Sequence, residues 1–278
     1  MKQCRICKKK TVTYLYPLNT KYSIYHCSTC NTDLTSPIPS PADVAQSTDV
    51  EYFKAYEDLS IKHFKILDLK RILEELPMNK VKSGLDIGCA NAYLVEYLLS
   101  KKVDAYGIEL FPEVAAEAQK KFKDKRIYVG DFEKYQFKRK FDVLIMFDLI
   151  EHIVDPQGVF EKAKKILNPG GFVLILTPDI NAFNRKILKR HWTAYYVEHV
   201  HCFSKQSMEY LAEKTGLKLF HYQRFHKTVN LHYFIRHLFH KFPFFMFLNI
   251  FTRFPSINFN FRIDDNSMLV ILQNYEKK

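Results

Sequence analysis

The sequence predicts an α/β protein, a mostly parallel sheet covered by helices on both faces, preceded by a small metal-stapled module. Three observations carry this. Near-continuous apolar runs such as FDVLIMF (141–147) and FVLILTP (172–178) alternate with helical stretches, as parallel strands buried on both faces do. The run VKSGLDIGCANA (81–92) leads straight into a loop of small residues that opens a helix, the pattern of a strand-turn-helix ligand cradle. Two Cys-x-x-Cys pairs stand within the first 30 residues.

Composition bounds the rest. A chain of 278 residues suits one sizeable domain with attachments. Its 47% hydrophobic and 15% aromatic content excludes disorder, and 8 Gly with 11 Pro exclude collagen-like and low-complexity chains. No run of eighteen apolar residues offers a membrane-spanning helix, and the start MKQCRICKKK has no apolar h-region. A cytoplasmic protein is expected, peripheral at the inner face of the membrane if it meets lipid. The net charge of +12 points to a polyanionic partner: nucleic acid, an anionic membrane surface or a phosphorylated substrate.

Cys4 and Cys7 form one pair, Cys27 and Cys30 the other, with nineteen residues between them. This is the spacing of a four-thiolate zinc site. Between the pairs, TVTYLYPLNTKYSIYH reads as two short strands broken at Pro17 to Asn19. Residues 1–41 are therefore expected to be a zinc ribbon ending in the stiff linker SPIPSP, too small to fold without its metal. A closed Cys4 site leaves no open position for chemistry, so the zinc is structural. Residues 42–80 read as a helical connector with Leu69, Ile72, Leu73 and Leu76 on one face, stopped by Pro77.

Residues 81–223 carry the core. After the helix AYLVEYLLSKK, a second strand, VDAYGIE, ends at Glu109, 21 residues beyond Gly88. That is about where a carboxylate meets a ribose diol in such a crevice. Pro112 suits the first turn of the next helix. The strand RIYVG then delivers Asp131, and FDVLIMF delivers Asp148, Glu151 and His152. An NPGG turn (168–171) precedes the fifth strand. Ala90 and Ala92 stand where a dinucleotide fingerprint has glycines.

The ordered set Gly84-Leu85-Asp86-Ile87-Gly88-Cys89-Ala90, Glu109, Gly130-Asp131-Phe132, Phe141-Asp142-Val143, Glu151-His152 and Asn168-Pro169-Gly170-Gly171 resembles class I S-adenosylmethionine-dependent methyltransferases. The resemblance implies a Rossmann-like, mostly parallel seven-stranded sheet. It implies that the Asp86, Gly88 and Ala90 loop holds the methionine end of the cofactor, that Glu109 accepts the ribose hydroxyls, and that Asp131 with Phe132 meets the adenine; Asp148 joins this cofactor set. The N-terminal CRICKKK and KYSIYHCSTCNTDLTSPIPSPADV extend the likeness to zinc-ribbon methyltransferases of glycan and polysaccharide biosynthesis.

That likeness suggests O-methylation of a sugar hydroxyl on a nucleotide-linked, lipid-linked or related small-molecule acceptor. A positioned base speeds such a transfer, and His152 and His199 (or His201) are expected near the mouth of the site. Asp148-x-x-Glu151-His152 also resembles the Glu-x-x-Glu-His segment of ubiquinone-pathway O-methyltransferases, so Asp148, Glu151 and His152 are a candidate divalent-metal set beside a simpler polar wall. No [DNS]-P-P-[YFW] follows the fourth strand, and neither Cys89 nor Cys202 sits in a Pro-Cys pair, which disfavours the usual base-amine and cytosine chemistries. A zinc-ribbon rRNA methyltransferase and a catalytically silent cofactor-binding module remain the alternatives.

Residues 224–264 read as an insertion before a final strand within 265–278. Residues 216–263 hold seven Lys/Arg and no Asp/Glu, and twelve of the 24 Phe lie between Phe220 and Phe261. Leu231, Phe234, Ile235, Leu238, Phe239 and Phe242 share one helical stripe. The expectations for 224–264 are docking on an anionic membrane surface, or packing on the core or a second copy in a homodimer.

Overall fold

The computed structural model describes residues 2–40, 42–44, 59–122, 125–230 and 260–275. The N-terminal segment forms β1 (Val12–Pro17), β2 (Ser23–Cys27) and β3 (Thr32–Ser36), an antiparallel meander. Its first turn is set by Asn19, whose Oδ1 accepts from the N–H groups of Lys21 and Tyr22, both at 2.8 Å.

The large sheet contains the parallel strands β4 (Ser83–Ile87), β5 (Asp104–Glu109), β6 (Ile127–Val129), β7 (Phe141–Phe147) and β8 (Leu167–Pro178). A two-residue strand, β9 (His201–Cys202), leaves this core and adds to β3, so the ribbon sheet runs β1-β2-β3-β9. Strands β10 (Lys218–Asn230) and β11 (Asn260–Gln273) then complete a seven-stranded sheet of order β10-β11-β8-β7-β4-β5-β6, antiparallel only at β10, β11 and β8. The expected fold class is the observed one. Strand order reverses at β4, which has β5 on one side and β7 on the other, so a crevice opens at their carboxyl ends.

The described residues include the helices α1 (Leu59–Glu74), α2 (Tyr93–Ser100), α3 (Pro112–Gln119), α4 (Pro156–Ile166), α5 (Phe183–Leu188) and α6 (Lys205–Thr215). Their ends follow local chemistry. Asp155 caps α4 by accepting from Gly158 N at 3.2 Å, with Pro156 in the first turn. Ser204 and Ser207 form a capping box on α6, which stops at Gly216 in the left-handed conformation (φ 73°). Alternation along the central strands fills both layers: β11 sends Met268, Val270 and Leu272 to one side and Leu269 and Ile271 to the other. On α1 Leu69, Ile72 and Leu73, and just past its end Leu76, are buried as their spacing predicts.

Two boundaries differ from the sequence reading. The NPGG segment lies within β8, where the parallel register jumps from Phe141↔Leu167 to Val143↔Phe172 and Gly170 takes φ 77°. The expected insertion 224–264 begins and ends inside paired strands, because β10 and β11 stay paired from Arg224↔Met268 to Asn230↔Asn260, through a register shift at Phe225/His226. The Leu231 to Phe242 stripe lies outside the described residues. Among the described residues no helix is long and apolar enough to cross a membrane.

Candidate active site

A cavity of about 460 Å³ opens at the carboxyl ends of β4, β5 and β7, within the range of small-ligand sites. Of the residues expected to bind cofactor, Asp86, Gly88, Ala90, Glu109, Asp131, Phe132 and Asp148 all line it, as does His152.

The loop after β4 is shaped by backbone conformation. Gly88, Ala90 and Ala92 take φ of 73°, 43° and 56°. The two alanines therefore adopt the left-handed form a glycine would favour, at a cost of about 1–2 kcal/mol each. Gly88 N and Cys89 N donate to Ile108 O at 2.9 and 3.1 Å, which seats the loop on β5. The seat is close: a Cβ on Gly107 would lie 2.5 Å from Cys89 Sγ. Ala92, the N-cap of α2, has no side chain that could occupy the first N–H groups of that helix.

Glu109 ends β5 and is only 6% exposed. Its Oε2 accepts from Ala90 N and its Oε1 from Phe111 N, both at 3.0 Å. Each oxygen keeps a second lone pair, so the carboxylate is held rigidly and can still accept two hydroxyls. Asp131 accepts from Glu133 N at 2.8 Å and lies 3.2 Å from Lys134 Nζ. Phe132 is buried against Phe137, with ring centroids 5.9 Å apart.

Among the described residues, six carboxylates line the cavity (Asp86, Glu109, Asp131, Glu133, Asp148 and Glu198), together with His152 and no Lys or Arg. In a chain of net charge +12 this is a local inversion of sign. It fits the cationic sulfonium and ammonium and the ribose diol of S-adenosylmethionine, which carries a carboxylate and an adenine besides.

His152 ends the 3₁₀ turn Ile150–His152, and its Nδ1 lies 3.2 Å from Glu198 O. A carbonyl can only accept, so the proton of the neutral ring sits on Nδ1 and Nε2 keeps its lone pair. Burial pulls His152 below the ordinary histidine value, with the Glu198 carboxylate opposing. His199 stands edge-on to it, ring centroids 4.8 Å apart, and its Nδ1 contacts Ala194 O at 2.8 Å. His199 is not a lining residue; it backs His152. His201 does not approach the mouth. It is fully buried in β9 on Ile153 O (2.9 Å), and burial, aided by the charge of Arg5, lowers it to about 3.

The expected metal set Asp148, Glu151 and His152 does not converge. The donors that do, within 4.8 Å of one another, are Glu151, His152 and His199. Asp148 sits at φ 51° just beyond β7 and lines the cavity, whereas Glu151 is buried beneath and accepts from Thr177 Oγ1 at 2.9 Å. A carboxylate with two imidazoles could hold a divalent cation. In the ribbon, Cys4, Cys7, Cys27 and Cys30 are free thiols with all four sulfurs within 4.8 Å; Cys4 Sγ is 3.6 Å from Cys30 and Cys7 Sγ 3.5 Å from Cys27. Sulfurs about 2.3 Å from a tetrahedral zinc stand about 3.8 Å apart, so the cluster has the right size for one.

Glu198 escaped the sequence reading. It lines the cavity, and its buried Oε2 has no hydrogen-bond partner among the described residues. The signal was present: it is the sole acid between Asp179 and Glu209.

The methyltransferase domain family matches residues 61–222. Among named relatives, methyltransferase 235L of Invertebrate iridescent virus 6 is 25% identical over 143 residues, 49% of this chain and 54% of that protein. The ubiquinone biosynthesis O-methyltransferase of Pelagibacter ubique is 32% identical over 121 residues, 42% of this chain and 50% of that protein. The chain thus spans about half the length of the curated relatives it matches. A methyltransferase of Haloferax volcanii, solved with the Trm112 methyltransferase activator, superposes with a TM-score of 0.55 at 16% identity over 82% of this chain and 95% of that one. An S-adenosylmethionine-dependent methyltransferase of Clostridium acetobutylicum does so at 0.51 and 13%, over 78% and 92%. At these identities the two structures speak for the fold. With the family matching well over half of its residues, and with this sheet order and crevice, the chain belongs to the methyltransferase domain family.

Proposed function

We propose that this chain transfers the methyl group of S-adenosylmethionine to a sugar hydroxyl of a nucleotide- or lipid-linked glycan precursor or a related small molecule, with His152 as the base. The observation that carries the cofactor reading is the set of six carboxylates, Glu109 among them, in an otherwise largely apolar cavity lining. When bound, the sulfonium supplies an electrophilic methyl carbon. In this reading the Asp86 to Ala90 loop holds the methionine end, Glu109 the ribose and Asp131 with Phe132 the adenine, while Asp148 completes the wall.

On the acceptor side, Glu198 Oε2 needs a donor and His152 Nε2 can take a proton. A hydroxyl satisfies both demands in turn. It orients by donating to one of these groups, and the base removes its proton as the new bond forms. The named O-methyltransferase relative is consistent with an oxygen acceptor. Cys4, Cys7, Cys27 and Cys30 hold one structural zinc.

A screen of nucleotide sugars with S-adenosylmethionine, read by mass, should yield a singly methylated sugar. Strong methylation of rRNA with no sugar product would replace this acceptor class with nucleic acid.

A further inference from the structure

Ribbon and crevice meet in one loop, residues 194–200, which is tied to the ribbon at both ends. At its far end β3 pairs with β9 through Asp33↔Cys202 and Leu34↔His201. Thr35 N donates to Val200 O at 3.1 Å, and Thr35 Oγ1 to His199 O at 2.6 Å. Arg5, next to Cys4, reinforces this end by donating from Nη2 to Thr35 O (2.7 Å) and Val200 O (2.9 Å). At the near end, Tyr195 OH donates to Asp33 Oδ2 at 2.6 Å. The same oxygen receives Arg185 through Nε at 3.0 Å and Nη2 at 2.5 Å, while Asp33 Oδ1 faces His26 Nδ1 at 2.8 Å. Asp33 is 1% exposed.

Between these two anchors lies the carbonyl of Glu198, the partner of His152 Nδ1, and next to the Tyr195 anchor lies that of Ala194, the partner of His199 Nδ1. A buried ion pair is a poor stability device, since its desolvation cost offsets much of its attraction. What Asp33 does is geometric: one carboxylate gathers donors from β2, α5 and the loop.

We infer that the ribbon is a positioning element of the methyl-transfer site: Asp33, through Tyr195 and Arg185, and Thr35, through the His199 backbone, hold loop 194–200 so that its carbonyls fix the tautomer and orientation of His152 and His199. Neither Asp33 nor Thr35 lines the cavity, so both act through other residues. This rests on the assignment of His152 as base, but it has its own readout.

The test uses the full-length zinc-loaded chain with ¹⁵N-labelled histidine. Long-range imidazole ¹H–¹⁵N correlations near neutral pH should show His152 and His199 protonated at Nδ1. Thr35→Val and Asp33→Asn should keep their zinc and bind S-adenosylmethionine within about twofold of the parent, yet lose that Nδ1–H signature to a tautomer mixture. Asp33→Glu should restore part of it. Parent-like imidazole spectra in both Thr35→Val and Asp33→Asn would overturn the inference. So would a loss of cofactor affinity in Thr35→Val, because the ribbon would then support the whole core. A fully active His152→Gln with these spectra as expected would remove the base assignment and leave the positioning role intact.

Discussion

Stripping the metal from the ribbon is expected to unfold it. Chelation of the full chain, or Cys27→Ser, should remove one zinc per molecule and lower the thermal stability sharply. Structural zinc contributes on the order of 10–16 kcal/mol in small finger peptides, far more than the few buried apolar side chains of this module, such as Ile6, Ile24 and Leu34, can replace. The thiols already show the strain of sharing a site. A hydrogen bond from Cys30 pulls Cys4 down to about 5, while burial pushes Cys7 up to about 11. Four sulfurs this close cannot all be thiolates without a cation. Acidification should therefore release the metal, since protons compete for the sulfurs as pH falls. Because β9 is part of the ribbon sheet, the loss should reach the loop before it, seen as faster hydrogen exchange over 194–200. Metal analysis that finds no zinc, or an unchanged content in Cys27→Ser, would remove the ribbon assignment.

His152→Gln should slow methyl transfer by about 100- to 10,000-fold, the usual contribution of a positioned base, with cofactor affinity close to that of the parent. The pH profile follows from the direction of the His152 shift. Burial favours the neutral ring, which is the form that accepts a proton. Activity should therefore be flat above the ordinary histidine value of about 6.5 and fall as the pH drops through the lowered value beneath it. A rate that rises on acidification, or a variant within about tenfold of the parent, would mean that His152 is not the base.

Features written in short windows were legible. Apolar spacing at Leu69 to Leu76, the run 141–147, the Cys-x-x-Cys pairs and the interval from Gly88 to Glu109 each depend on neighbours a few turns or one strand-helix unit apart. The alanines at 90 and 92 were ambiguous by type, and only the backbone reveals that they take the glycine conformation. What stayed hidden is long-range. Asp33 and Arg185 are 152 positions apart, and Thr35 and His199 are 164, so no local pattern joins ribbon to loop. The replacement of Asp148 by His199 beside Glu151 likewise depends on a turn at Asp148 and on where a distant loop returns.

The central claim is that Glu109 anchors the cofactor in an acidic cavity, and calorimetry tests it most directly. The parent chain should bind both S-adenosylmethionine and its demethylated product. Glu109→Ala should weaken both alike by about 1–3 kcal/mol, the range for hydrogen bonds to a charged group, because both ligands carry the ribose. Unchanged affinities in Glu109→Ala, or no binding of either ligand to the parent, would contradict it.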